Sequence, residues 1–243
     1  MKISILRNRF TRRAAFAAAT LLICAAALAG CGGGEQARGR LGAPGMKTLL
    51  VMPFQDMSAR YGPGESVRSP ISGQMFITGL VAEDSTDYLY RQVVDHLKAN
   101  TSYRVIEYDA AEGVRSQVLE REGRSVGERE FVTEIGRIME VDGVVAGYVY
   151  RFRQREGTAF AVDYPASVAF DLNLVRTADG RALWSEAFDQ TQEPLSENLL
   201  KVGEFVQGGA KWLKAEDLAA RGVDKVMAEF PRRRPDLEDG GAR

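Results

Sequence analysis

Three alternating runs, Val144 to Arg153, Ala166 to Leu174 and Ala182 to Thr191, commit this chain to a β-sheet before anything else is read from it. In the first, Val144, Ala146, Tyr148, Tyr150 and Phe152 alternate with Val145, Gly147, Val149, Arg151 and Arg153. In the second, Ala166, Val168, Phe170, Leu172 and Leu174 alternate with Ser167, Asp171 and Asn173. Successive side chains of a strand point to opposite faces, so one face of each run is the more apolar and must be covered. Asp179-Gly180 separates the second run from the third, and this pair favours a tight turn because it tolerates positive φ, so a hairpin is predicted there.

Helical stripes supply the cover. Ser85 reads as an N-cap ahead of Leu89, Val93 and Leu97 at four-residue spacing, flanked by Tyr90 and Val94 and stopped at Asn100. Asp109 with Glu112 and Ser125 with Glu128 are capping-box pairs, the first ahead of Val114, Val118 and Leu119, the second ahead of Phe131, Ile135, Ile138 and Met139. Pro194 to Val202 and Ala215 to Phe230 are two further helical stretches, with Gly208-Gly209 and Pro231 as stops. Lys47 to Phe54 and Tyr103 to Glu107 are short apolar runs of strand character. Between them, Gln55 to Ala82 is rich in glycine, proline and serine, and is expected to be a long irregular connection. The order of these elements predicts an α/β sandwich: a mixed sheet of about five strands, partly antiparallel, with helices packed against it.

The start of the chain points outward from the cytoplasm. Met1 to Arg13 carries Lys2, Arg7, Arg9, Arg12 and Arg13 with no acidic residue, and Ala14 to Gly30 is an unbroken run of apolar and small residues. Leu28-Ala29-Gly30-Cys31, followed by three glycines, resembles the lipobox of bacterial lipoproteins. That resemblance implies cleavage between Gly30 and Cys31, and acylation of Cys31 on its thiol and its new amino group. Each buried methylene contributes about 0.8 kcal/mol, so three acyl chains anchor a protein durably and its fold needs no membrane-binding surface. Gly32 in place of aspartate after the cysteine implies the outer membrane.

The expected organisation is a signal peptide over 1–30, a flexible tether over 31–45, one periplasmic α/β domain over 46–230, and a disordered tail over 231–243. Cys24 leaves with the signal and Cys31 is consumed by lipid, so no disulfide or thiolate metal site is expected and no cofactor beyond the covalent lipid. Cleavage removes 5 of the 32 basic residues and none of the 33 acidic ones, leaving a net charge of −6. Such a balance disfavours a nucleic-acid partner, which needs a clustered basic face.

Leu49 to Phe54, Val141 to Val149 and Ala169 to Trp184 together resemble the pattern of the curli-secretion lipoprotein family. That architecture is shared with the amino-terminal domain of TolB and with the lipoprotein activators of peptidoglycan synthases. The resemblance spans roughly residues 47–191 and rests on a strand ending in Pro-Phe, a glycine opening a strand after a helix, and a hairpin ending in an aromatic. It implies a fold of this kind and an envelope protein as partner, and leaves the oligomeric state open. The sequence departs from a secretion pore, since Gln154 to Pro165 is short and carries Arg155, Glu156 and Asp163 where a pore would insert long amphipathic hairpins. It departs from the synthase activators in its tether, since Gly32 to Gly45 reaches only about 50 Å.

Candidate chemistry is sparse. His96 is the single histidine and has no sequence partners for a catalytic triad or a metal site. The glycines between 62 and 79 form no phosphate loop. Asp171, Glu186 and Asp189 invite an acid/base reading, and Trp184 and Trp212 a glycan-binding one, against surface carboxylates and core aromatics respectively. The better candidate is the apolar set Met75, Phe76, Ile77, Leu80 and Val81 in the long connection, read either as a partner surface or as a cover for the sheet edge. The expectation is a non-catalytic outer-membrane lipoprotein acting as a protein-binding accessory or scaffold in envelope assembly, secretion or cell-wall upkeep. The alternatives are a periplasmic glycan- or small-ligand-binding lipoprotein and, less favoured, a hydrolase.

Overall fold

The computed structural model describes residues 46–108, 127–157, 162–192 and 213–231. In chain order the elements are β1 (Thr48–Val51), β2 (Gln55–Asp56), α1 (Met57–Tyr61), β3 (Ser66–Arg68), β4 (Met75–Ile77), α2 (Ser85–Asn100), β5 (Arg104–Glu107), α3 (Glu128–Ile138), β6 (Gly143–Arg153), β7 (Glu156–Gly157), β8 (Val162–Tyr164), β9 (Ser167–Arg176), β10 (Ala182–Thr191) and α4 (Ala215–Met227).

The main sheet has six strands in the order β10-β9-β6-β1-β5, with β2 also paired to β6. β6, β9 and β10 form the antiparallel half, and β1 runs parallel to both β5 and β6. β6 is the spine. Along one edge it pairs with β9 over its whole length, and along the other it meets in succession β1, β2 and a bridge from Val81 to Phe152. The chain from 48 to 81 therefore walks along β6 and leaves it once, between Asp56 and Gly79, to form α1 and the β3–β4 hairpin.

Both faces of the sheet are covered, which is why eight consecutive residues of β6 and nine of β9 are buried. On one face Leu49, Val51, Val145, Val149, Phe170, Leu172 and Trp184 pack against Leu89, Val93 and Leu97 of α2 and Leu218, Val223 and Val226 of α4. On the other, Leu50, Val144, Ala146, Tyr148 and Tyr150 pack against Phe131, Val132 and Ile135 of α3, Met57 of α1, and Val67 and Phe76 of the hairpin. Gly147 is required by a close approach, since a Cβ there would stand 2.6 Å from the Phe54 ring.

Asp142 sews the two parallel strands together at their start. Its Oδ2 accepts from the amides of Lys47 and Thr48, each at 2.8 Å, and from the Thr48 hydroxyl at 2.9 Å. Burial pushes this carboxyl up, but those donors and the Lys47 charge outweigh burial and hold it below the ordinary aspartate value.

Two expectations are corrected, and the predicted mixed sheet of about five strands is found. The connection from 55 to 82 is not irregular; it carries β2, α1, β3 and β4, elements of two to five residues that are too short to show a period. The simple alternation through β6 fails at its end, because a bulge between Val149 and Arg151 inserts Tyr150 as an extra residue and turns Phe152 onto the α2 side, against Tyr88. The sheet has six strands, the sixth being the two-residue β2. Of the predicted helices, those over 85–100 and from 215 are found, and the one announced at Ser125 begins at Glu128. The helices expected after Asp109 and Pro194 lie outside the described residues.

Candidate functional site

The hairpin that leaves the sheet is built with a period of two. Val67 and Phe76 point inward and are buried, while Met75 and Ile77 point outward and stay 50% and 52% exposed. Leu80, at 62% exposed, and Tyr61, at 46%, extend the same segment's apolar display. The base is tied internally: the Thr78 hydroxyl donates to the Gly62 carbonyl at 2.6 Å and accepts from the Glu65 amide at 2.9 Å.

Two devices hold the hairpin down. The Phe76 ring lies flat on Tyr150, with centroids 3.9 Å apart and planes 8° apart. At the tip, the Ser72 hydroxyl donates to Asp171 Oδ2 at 2.9 Å, and the Tyr150 hydroxyl reaches Asp171 Oδ1 at 3.3 Å. Asp171 sits in the middle of β9 and is fully buried. Burial raises its carboxyl above the ordinary aspartate value, and hydrogen bonds from Ser69, Ser72, Asn173 and Tyr150 offset that only in part. Beside it the Asn173 side-chain oxygen accepts from Ser185 at 2.7 Å. The sheet surface beneath the hairpin tip is thus polar, whereas the surface beneath α3 is apolar.

Arg151 clasps the exit of the hairpin. Its guanidinium donates to the Ile77 carbonyl at 2.8 Å and to the Ser167 hydroxyl, and pairs with Asp189. One cation thereby links the hairpin to β9 and to the edge strand β10.

The predicted partner residues divide. Met75, Ile77 and Leu80 share the exposed side of this segment. Phe76 is 3% exposed and anchors the hairpin, and Val81 is half-buried beside β6, so neither offers a surface. Tyr61, in the same connection, is exposed as well, with the Arg60 guanidinium over its ring.

The other candidates come apart as chemistry. Ala187 is the residue opposite Asp171, which turns the neighbouring Glu186 to the other side of β10; Asp189 is engaged by Arg151, so the three carboxylates form no acid/base pair. His96 lies on α2, with Nδ1 3.6 Å from Asp224 on α4. Trp184 is 6% exposed and packs edge-to-face on Phe230 with centroids 4.9 Å apart, so it belongs to the core and gives no stacking platform for a sugar. Trp212, Gly30 and Cys31 lie outside the described residues. Among the described residues no group of three or more metal-ligating side chains converges, and no helix is long and apolar enough to cross a membrane.

Asp171 entered the sequence reading only as a candidate acid/base carboxylate, and Ser72 and Arg151 were passed over. The only signal for the first was Asp171 and Asn173 alternating within an otherwise apolar strand, a pattern that reads as a solvent-facing side until the hairpin is seen to cover it.

Fold and surface together define an α/β sandwich with a six-stranded mixed sheet, carrying on one face a docked hairpin that displays apolar side chains. No family model matches the sequence, and no curated protein sequence matches it. Solved structures similar to it include the PelC dodecamer from Paraburkholderia phytofirmans, at 14% identity and TM-score 0.43 over 77% of this chain and 90% of that one. Another is the LpoB C-terminal domain from Salmonella enterica, at 18% identity and TM-score 0.33 over 62% of this chain and 88% of that one. A third is lipoprotein GNA1162 from Neisseria meningitidis, at 15% identity and TM-score 0.34 over 67% of this chain and 93% of that one.

Proposed function

We propose that this chain is a non-catalytic, lipid-anchored protein of the bacterial envelope that works by protein contact, through the surface formed by Met75, Ile77 and Leu80. The observation that carries the reading is the division of labour in the hairpin. Phe76 and Val67 are spent on holding it to the sheet, while the alternate positions place two large apolar side chains, both half-exposed, in solvent. Exposed apolar side chains on an element that keeps its own fold are what a docking surface requires, because much of the ordering cost is already met in the free protein.

The lipobox supports the address. Cys31 with its acyl chains would hold the domain at the outer membrane, facing the periplasm, with Gly32 to Gly45 as the tether. Nothing about the site calls for a cofactor or a nucleic acid. The role is that of an accessory or scaffold in envelope assembly, secretion or cell-wall upkeep.

In-cell photocrosslinking from positions 75, 77 and 80 tests the surface. A discrete envelope protein is expected to be captured from all three and lost in the Met75→Ser, Ile77→Ser double variant. Capture of nothing above background from any of the three would overturn the reading.

A further inference from the structure

We propose that the β3–β4 hairpin is a hinged flap, latched onto the sheet at its tip by Ser72 donating to the buried Asp171 carboxyl, so that it opens as a unit without unfolding the domain. The inference deepens the reading of the Met75, Ile77 and Leu80 surface and rests on it for its purpose.

Four features carry it. The hairpin is closed on itself: Thr78 bonds Gly62 and Glu65 across its base, and the Ser69 amide donates to the Gln74 carbonyl near its tip, so it holds its shape independently of the sheet. Its entry is Gly62 and Gly64, at φ +88° and +85°, with nothing within 4 Å of where a Cβ would stand, and their amides bond Ser58 and Thr78 within the same segment rather than the sheet. Its attachment is small, consisting of the buried Val67 and Phe76 side chains, the latter stacked on Tyr150, the Arg151 bond to the Ile77 carbonyl, and the Ser69 and Ser72 bonds to Asp171. Finally, the latch is polar where the rest of the sheet face is apolar. Val144, Ala146 and Val175 meet α3 through hydrophobic burial, whereas Asp171 meets the hairpin tip through hydrogen bonds from its serines. A hydrogen bond to protein can be exchanged for one to water at little net cost, and elements held by few buried apolar contacts open below the free energy of global unfolding.

The test measures opening with no partner present, so its failure and a failure of the crosslinking are separately readable. In the full chain, Val67→Cys places a thiol on the buried inner side of the hairpin, and Val144→Cys places one on β6 beneath α3. Alkylation is followed at each site by peptide mass, which keeps Cys24 and Cys31 out of the reading. Val67→Cys is expected to label at least ten times faster than Val144→Cys. Ser72→Ala, which removes the latch donor, is expected to speed only the Val67→Cys reaction, by threefold or more. Equal rates at the two sites would show that the hairpin opens only when the domain unfolds, and would overturn the flap. Faster labelling that Ser72→Ala does not change would overturn the assignment of the latch to Asp171.

Discussion

Asp142 and Asp171 are both carboxylates packed on the sheet, and their surroundings drive them in opposite directions. Asp142 keeps partial access to water and accepts three hydrogen bonds, two of them from backbone amides, so its ionised form is favoured in the fold. The stability it contributes is present above the unfolded value, near about 4, and is lost as pH falls through the lower folded value. Asp171 is fully buried and its folded value is raised. Its contribution is full below the unfolded value and is lost as pH rises through the folded one. Asp142→Asn is therefore expected to cost about 1–2 kcal/mol at pH 7 and to lose less stability than the wild type between pH 5 and pH 3. Asp171→Asn is expected to improve relative to the wild type from pH 4 to pH 7, because the amide is never charged. Urea titrations across that range check both, and a reversed trend for Asp171→Asn would mean that the hairpin hydroxyls hold the carboxyl below its ordinary value after all.

At the scale of elements, the bulge in β6 decides more than any propensity does. By adding a residue opposite Ala169 it leaves Tyr148 and Tyr150 on the face reached by α3 and the hairpin, turns Arg151 to that same face, and gives Phe152 to α2. Without it Phe152 would stand beneath the hairpin and Arg151 would point into the helical side, away from Ile77 and Asp189. The upstream half of the same strand depends on a small residue: Gly147 leaves room for the Phe54 ring, which in turn meets Phe170 edge-to-face at 6.2 Å. Gly147→Ala is expected to destabilise the domain by about 1–3 kcal/mol, seen as a lower urea midpoint with an unchanged slope. A variant as stable as the wild type would show that Phe54 has somewhere else to go. The hairpin follows a different rule, since its strands are only three residues long and are held to the sheet by one ring stack and a few polar bonds.

For the whole molecule, the anchor and the domain are separable claims. Cys31→Ser removes the proposed acylation site and is expected to move the protein from the membrane to the soluble fraction while leaving its thermal unfolding unchanged; continued cosedimentation with outer membrane would count against the lipid anchor. Much of the fold was legible in the residues, because β6, β9, β10, α2 and α4 are long enough for periods of two or 3.6 to emerge and for Asp179-Gly180 to mark their turn. The candidate surface was legible only in outline. Met75, Ile77 and Leu80 were picked out together with Phe76 and Val81, since an apolar residue in a glycine-rich stretch looks the same whether it faces solvent or the sheet. The sequence by itself determined the layered α/β class, since that rests on local pattern and composition, and it alone carries the proposed export address. Only the tertiary structure decided which apolar side chains are spent on anchoring and which are displayed, and that Asp171 is a buried tether rather than a surface charge. Those outcomes depend on which segment lies over which strand, and a hairpin docking on a sheet face 99 residues further along the chain, as Ser72 does on Asp171, leaves no trace in any local window.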